Sequence, residues 1–339
     1  LSSLGIFINI ISQLISATAV IAIICPTLGV LPSVLIAAAL MALYVLFGGF
    51  LGAGLVGVAK LILLYLSVMA GGRIALFLSG GAEALTASLD PARYLNLFAR
   101  GLGIDGGACL SLIFGVLCTQ SYAQAILAGK SHRAAQKGAL ISAAMVPPIG
   151  VGGILIGLFM RVNHPDLASA KLAFPRFVTQ YMPDFLAGVV MVTLLIAVVG
   201  TGAGLALGIS SVVNNDIVKK FTHKLDEPKK NLVFSRVFIV AVLAAACLLS
   251  TGALGDTILT FAFMSMGLRG AVIFVPLCCA LWAPGKLSPP WAMACIVAGP
   301  LLTLTFGLID ILPFDALFVG MAAALLCCVA GLIWGRRES

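Results

Sequence analysis

Charge is what this 339-residue chain has least of. Asp, Glu, Lys and Arg make up 9% of it, against about a quarter of an ordinary soluble domain. With 61% apolar residues and a mean hydropathy of +1.17, so few charges cannot cover a water-facing surface, and most of that surface must face lipid. A soluble globular protein is excluded. Histidine is scarce too. His132, His164 and His223 lie far apart in connecting segments, so no His constellation points to catalysis or a metal. HExxH, GxSxG and Walker loops are absent, and no CxxC or Cys/His spacing joins the nine cysteines, which read as small apolar packing residues. GxGxxG occurs at Gly52–Gly54–Gly57 and at Gly101–Gly103–Gly106, but in a glycine-rich chain with no strand–helix–strand pattern this carries no dinucleotide site. A membrane-embedded enzyme would need acid, base or metal residues at one depth, and none are seen. The expectation is no enzyme, no cofactor and no metal beyond a coupling ion.

What is present is a succession of apolar runs. A window of about 19 residues finds ten long enough to cross a hydrocarbon core of about 30 Å: 4–25, 28–47, 50–69, 108–127, 139–159, 185–213, 232–250, 257–282, 290–306 and 314–334. None alternates as a strand would, and all are too long for an outer-membrane barrel. The expected fold class is all-α, a polytopic membrane helix bundle of about ten transmembrane helices, with residues 1–339 as one transmembrane domain.

The net charge of +8 would suggest nucleic acid in a soluble chain, but here loop asymmetry explains it. With 130–137 cytoplasmic, twelve Lys and Arg fall inside and six outside, which orients the C-terminus to the cytoplasm of a multi-pass plasma-membrane protein. Trp282, Trp291 and Trp334 then share the cytoplasmic interface. Two longer loops, 71–107 and 161–184, lie outside; the first contains a short surface helix capped by Asp90 before Pro91. Whether they lid a cavity or merely connect spans is open. Gly200, Gly204 and Gly208 recur every fourth residue, the small-xxx-small spacing that lets membrane helices approach closely, as do Gly48–Gly52 and Ala53–Gly57.

Two cations lie at depth. Lys60 is ten residues into its run, about 15 Å down at 1.5 Å per residue, and Arg269 is midway along 257–282. Each costs at least about 2.5 kcal/mol there unless it faces a partner or a wet cavity. Lys60 either has such a partner or snorkels to the cytoplasmic face. For Arg269, the flanking Gly267 and Gly270 either mark an unwound stretch lining a cavity or are ordinary helix. No Asp or Glu lies at matching depth, so the counter-charge must come from a carbonyl terminus, from helices outside this sequence or from a solute carboxylate.

The run Thr119–Gln120–Ser121–Tyr122–Ala123–Gln124 leading to Ala128–Gly129–Lys130–Ser131 resembles the sodium:solute symporter family, in which a helix ending in Gln, three residues and Gln-Arg precedes an Ala-Lys-Ser turn. So do Leu195 to Thr201 running on to Ser210–Ser211 and Asp216–Ile217, Tyr44 with Gly48–Gly49, and Pro276 to Trp282 followed by Lys286. The resemblance spans nearly the whole chain. It implies the inverted-repeat fold, two five-helix halves around a midplane site formed by broken helices. In this register the first span corresponds to the third core helix and the last to the twelfth, the first two core helices being absent; the chain is expected to be an N-terminally truncated piece whose missing helices complete it.

Carried over by position, the family's sodium ligands on the eighth core helix fall on Ala197, Gly200 and Thr201: a carbonyl and two hydroxyls at i, i+3 and i+4, one of which Gly200 lacks. The acidic residue often found on the fifth core helix is gone, and Lys60 stands one turn away. Both departures weigh against sodium as the coupling ion. Some sodium-independent transporters of this fold resemble this arrangement, which makes Lys60 a candidate cation surrogate. A desolvated ammonium sheds its proton more readily, so it is also a candidate proton carrier. Thr119, Gln120, Tyr122 and Gln124 on the sixth core helix, with Ser265 and Arg269 on the tenth, are the candidate solute-binding residues; for Gln124, interhelical bonding is an equal reading. Ala125 replaces the family's usual Arg. The resemblance thus implies a secondary active transporter for a small organic solute working by alternating access in membrane lipid, with no nucleic-acid partner. Proton-coupled or exchange transport of a carboxylate solute, or a membrane sensor module of the same fold, are the alternatives.

Overall fold

Backbone buried in lipid must satisfy its own N–H and C=O groups, and this chain does so by coiling into helices along most of its length. The computed structural model describes the chain apart from residues 1, 120–121, 123–125, 127–128, 168, 222–226, 252–257, 310–311 and 335–339; for 47–56, 215, 219, 228–229, 258–261, 263 and 334 it describes the backbone alone. The helices are α1 (Ser2–Ile24), α2 (Val30–Leu78), α3 (Ala82–Ala87), α4 (Pro91–Tyr94), α5 (Leu102–Leu117), α6 (His132–Asn163), α7 (Ala173–Tyr181), α8 (Asp184–Val212), α9 (Pro228–Ser250), α10 (Ile258–Trp282), α11 (Pro289–Ile309) and α12 (Leu317–Trp334). No strand occurs among the described residues. Among the described residues, seven stretches are long and apolar enough to cross a membrane, and Val30–Leu46, Leu102–Leu117 and Leu317–Ile333 are shorter apolar helices. The chain is a multi-pass membrane protein.

The boundaries differ from expectation in two places. Runs 28–47 and 50–69 are one continuous helix, α2, of 49 residues. Its Gly48–Gly49 pair costs about 1 kcal/mol per residue relative to Ala, but no proline blocks the backbone, so the helix continues. The fourth run, 108–127, becomes α5 ending at Leu117. There the Cys118 N–H bonds back to Phe114 O, and the Thr119 hydroxyl donates to Gly115 O at 2.5 Å, satisfying carbonyls that the helix end leaves open.

The chain divides into two compact units. The first comprises Leu1–Ile8, Asn96–Lys130 and Leu259–Ser339. In it α11 and α12 pack along their length, with Cys295 of α11, Ala324 and Cys328 of α12 and Val275 of α10 buried together. The second comprises Asn9–Leu95 and Ser131–Ile258. Here α2 packs against α6, α8 and α9, and Ile156, Phe159, Met160, Phe177 and Val190 form a core under the amphipathic α7. Asp90 caps α4 as expected, accepting from the Ala92 N–H at 3.0 Å. The outer segments of this unit are joined by Arg161 Nε donating to Tyr94 Oη at 3.0 Å and by His164 Nε2 against Tyr181 Oη at 2.8 Å.

The regular Gly200, Gly204, Gly208 spacing does not mark the packed face of α8. A Cβ added at Gly204 or Gly208 would meet nothing within 4 Å among the described residues, whereas one at Gly202 would strike Met41 Sδ at 2.6 Å. The buried face runs instead through Gly202, Ala203, Ala206 and Ile209, and Gly200 fronts a different feature.

Candidate functional site

In the second unit, α2 carries Lys60 against α8. Lys60 Nζ donates to Ala197 O at 3.4 Å and to Thr201 Oγ1 at 3.3 Å, both long contacts for an ammonium. Thr201 Oγ1 donates in turn to Ala197 O at 2.7 Å, the back-bond common for hydroxyls inside helices. A Cβ at Gly200 would stand 3.6 Å from Tyr44 Cζ and 3.8 Å from Lys60 Nζ. Glycine at 200 therefore leaves room that the Tyr44 ring and the Lys60 ammonium border. The side chain of Lys60 is half-buried, reaching a carbonyl and a hydroxyl oxygen 137 and 141 residues away, so it does not snorkel free of α8.

The first unit holds a second cluster around Arg269, on α10. The guanidinium is 1% exposed, the bulkiest of the fully buried side chains. Nη1 donates to Thr119 Oγ1 at 2.9 Å, Nη2 to Ser265 Oγ at 2.5 Å and Nε to Ser265 O at 3.2 Å. Both hydroxyls pass the polarity on: Ser265 Oγ donates to Gly5 O at 2.5 Å and Thr119 Oγ1 to Gly115 O. The charge thus rests on two hydroxyl–carbonyl relays, one of them at the C-terminal end of α5, where the helix dipole is negative. Close approach makes this possible. A Cβ at Gly5 would lie 2.8 Å from Ser265 O, and one at Gly115 would lie 2.5 Å from Met266 Cβ. No carboxylate among the described residues lies within ion-pair reach of Arg269. The stretch from Met266 to Gly270 is continuous helix, which corrects the reading of an unwound segment: Gly270 accommodates Phe114, whose Cβ would stand 3.0 Å from an added methyl group.

Of the predicted residues, Lys60, Ala197, Gly200 and Thr201 come together in one cluster, and Thr119, Ser265 and Arg269 in the other. Tyr122 is 48% exposed and makes no hydrogen bond to Arg269. Gln120 and Gln124, with Ala125, lie outside the described residues. Sequence reasoning missed the Gly5 and Gly115 carbonyls, since every residue carries one. Tyr44 was noted as part of a motif but not as a neighbour of Lys60. Also missed was a polar cluster at the end of α8, where Asn214 meets Asn231 and Ser235 on α9.

Three comparisons bear on these clusters. The model of the sodium:solute symporter family matches residues 1–299. An uncharacterized symporter of Escherichia coli K12, YidK, is 32% identical over 136 residues, 38% of this chain and 24% of the relative, so the match spans about a quarter of that protein's length. The substrate-bound outward-open structure of a Na+-coupled sialic acid symporter superposes with a TM-score of 0.75 at 16% identity, covering 98% of this chain and 72% of that one; it shares the fold, an inverted-repeat transporter fold. The chain belongs to the sodium:solute symporter family.

Proposed function

We propose that this chain forms the greater part of a secondary active transporter that moves a small organic solute across the plasma membrane by alternating access, and that Lys60 supplies the positive charge that sodium supplies in relatives. The observation that carries this reading is the position of Lys60 Nζ, 3.4 Å from Ala197 O and 3.3 Å from Thr201 Oγ1. Those are the carbonyl and hydroxyl that the family resemblance assigns to the ion. Carbonyl and hydroxyl oxygens suit a small hard cation, and an ammonium satisfies the same oxygens by donating hydrogen bonds. Gly200 fits the same reading: a third ligand is not required once the cation is a tethered side chain. Lys60 then acts as a fixed cation or, by losing its proton during the cycle, as the carrier of a coupling proton.

Arg269 supports a carboxylate-bearing solute. A guanidinium has five N–H groups, and three are engaged by Thr119 and Ser265. The other two, one on each terminal nitrogen, have no hydrogen-bond partner among the described residues, and a carboxylate takes two such donors once the closed cluster opens. The basic-residue bias supports a cytoplasmic C-terminus.

The test is uptake by the full-length protein in proteoliposomes, with a panel of carboxylate and neutral solutes and imposed sodium or proton gradients. Uptake driven by protons or by counter-solute but not by sodium, and abolished in Lys60→Ala, is the expected result. Sodium-driven uptake that survives Lys60→Ala would return Lys60 to a structural role.

A further inference from the structure

Five of the nine cysteines lie on the last three helices of the first unit, and two of them touch. Cys279, one turn before the end of α10, has its Sγ 2.7 Å from that of Cys328 on α12. We propose that these two thiols are an oxidative modification site, closing to a disulfide that ties α10 to α12.

Disulfide formation asks for two sulfurs on side chains whose Cβ atoms already face each other. Sulfurs in contact at 2.7 Å need to draw only about 0.65 Å nearer to reach a bond of about 2.05 Å. The partners are also chemically distinct. Cys279 is partly exposed and sits three residues before Trp282, the last residue of α10, so about 4.5 Å of helix separates it from the end of that helix. Cys328 is buried, and among the described residues its sulfur is in hydrogen-bond contact with that of Cys279. The other buried thiol nearby, that of Cys295, is directed elsewhere, donating to Ala324 O at 3.2 Å.

Hydrogen peroxide, small and membrane-permeant, is the oxidant of the proposed step. The Cys279 sulfur attacks one peroxide oxygen, the O–O bond breaks, water leaves and a sulfenic acid remains. The Cys328 sulfur then attacks that sulfenic sulfur, the S–O bond breaks and a second water carries away the thiol proton. Two thiols and one peroxide become one disulfide and two waters, each sulfur oxidised by one electron and each peroxide oxygen reduced by one.

The experiment treats the purified full-length protein with hydrogen peroxide, alkylates the remaining thiols, and maps peptides by mass spectrometry without reduction. The expected result is joint loss of alkylation at Cys279 and Cys328, with a joined peptide two hydrogens lighter than its halves and reversal by dithiothreitol. Cys279→Ser should abolish the joined peptide, and Cys278→Ser/Cys327→Ser, which leaves the touching pair intact, should retain it. Full alkylation of Cys279 and Cys328 after peroxide, in wild type and in the Cys278→Ser/Cys327→Ser variant, would overturn the proposal, as would a joined peptide that persists through Cys278 in Cys279→Ser.

Discussion

In the proposed reading, Lys60 and Gly200 are one change spread over two helices. A hydroxyl at 200 would add a third oxygen where an ammonium already stands 3.8 Å from the position of its Cβ, and glycine leaves that space to the cation and to Tyr44. Undoing both at once should therefore restore an ion site. Lys60→Ala/Gly200→Ser is expected to show sodium-stimulated uptake or sodium-dependent thermal stabilisation in detergent where Lys60→Ala alone shows neither. Around Arg269 the stakes are those of burial. Thr119→Val removes the acceptor of one guanidinium N–H and should cost about 1–3 kcal/mol, read as a lowered unfolding temperature of the purified protein. Both cations were visible in the sequence, because a charge inside an apolar run is conspicuous. Thr119 and Ser265 stood out as polar groups on apolar helices. Their carbonyl partners at Gly5 and Gly115 did not, since backbone oxygens are uniform along a chain and only packing singles one out.

Helix α5 shows how an element is held at both ends. Its aqueous end is tied by Asp105, whose carboxylate accepts from the Arg100 N–H at 2.9 Å and pairs with the Arg100 guanidinium at 2.7 Å. The Arg100 backbone N–H first, and its side chain second, hold the Asp105 carboxyl below its ordinary value. A carboxyl lowered in the folded state contributes stability that is complete above the ordinary carboxylate range and fades as pH falls through its lowered value. Wild type and Asp105→Asn should accordingly differ in unfolding temperature at neutral pH and converge in acid. In the last turn of α5, Gly115 lets α10 approach. Gly115→Ala places a methyl 2.5 Å from Met266 Cβ and should cost about 1–3 kcal/mol by overpacking, seen in the same thermal assay and without pH dependence. Hydropathy located α5 and its neighbours but not their bounds: α5 begins at Leu102, before the apolar run, and ends at Leu117, where the Thr119 side chain takes a carbonyl. For the glycines of α10 the sequence left a break and an ordinary helix equally open, and they are contact points on an unbroken helix.

For the molecule as a whole, the proposed orientation assigns twelve basic residues to the cytoplasmic side and six to the other. A phosphatase or fluorescent reporter fused after Ser339 should report a cytoplasmic C-terminus, and one inserted between Ser88 and Asp90 an external loop; the reverse pattern would overturn the assignment. That the chain is a helical, multi-pass membrane protein could be read from composition and run length, because lipid admits few solutions to the backbone hydrogen-bond problem and each leaves a coarse periodic trace. The family was legible as well, from motifs around Thr119, Thr201 and Pro276. The surroundings of Lys60 and Arg269 were not. Ser265 is one turn from Arg269, but the hydrogen bonds that join different segments in the two clusters link residues 137 to 260 positions apart, and contacts at such separations follow from how helices rotate and approach, which small residues such as Gly5, Gly115 and Gly200 permit but no local pattern encodes.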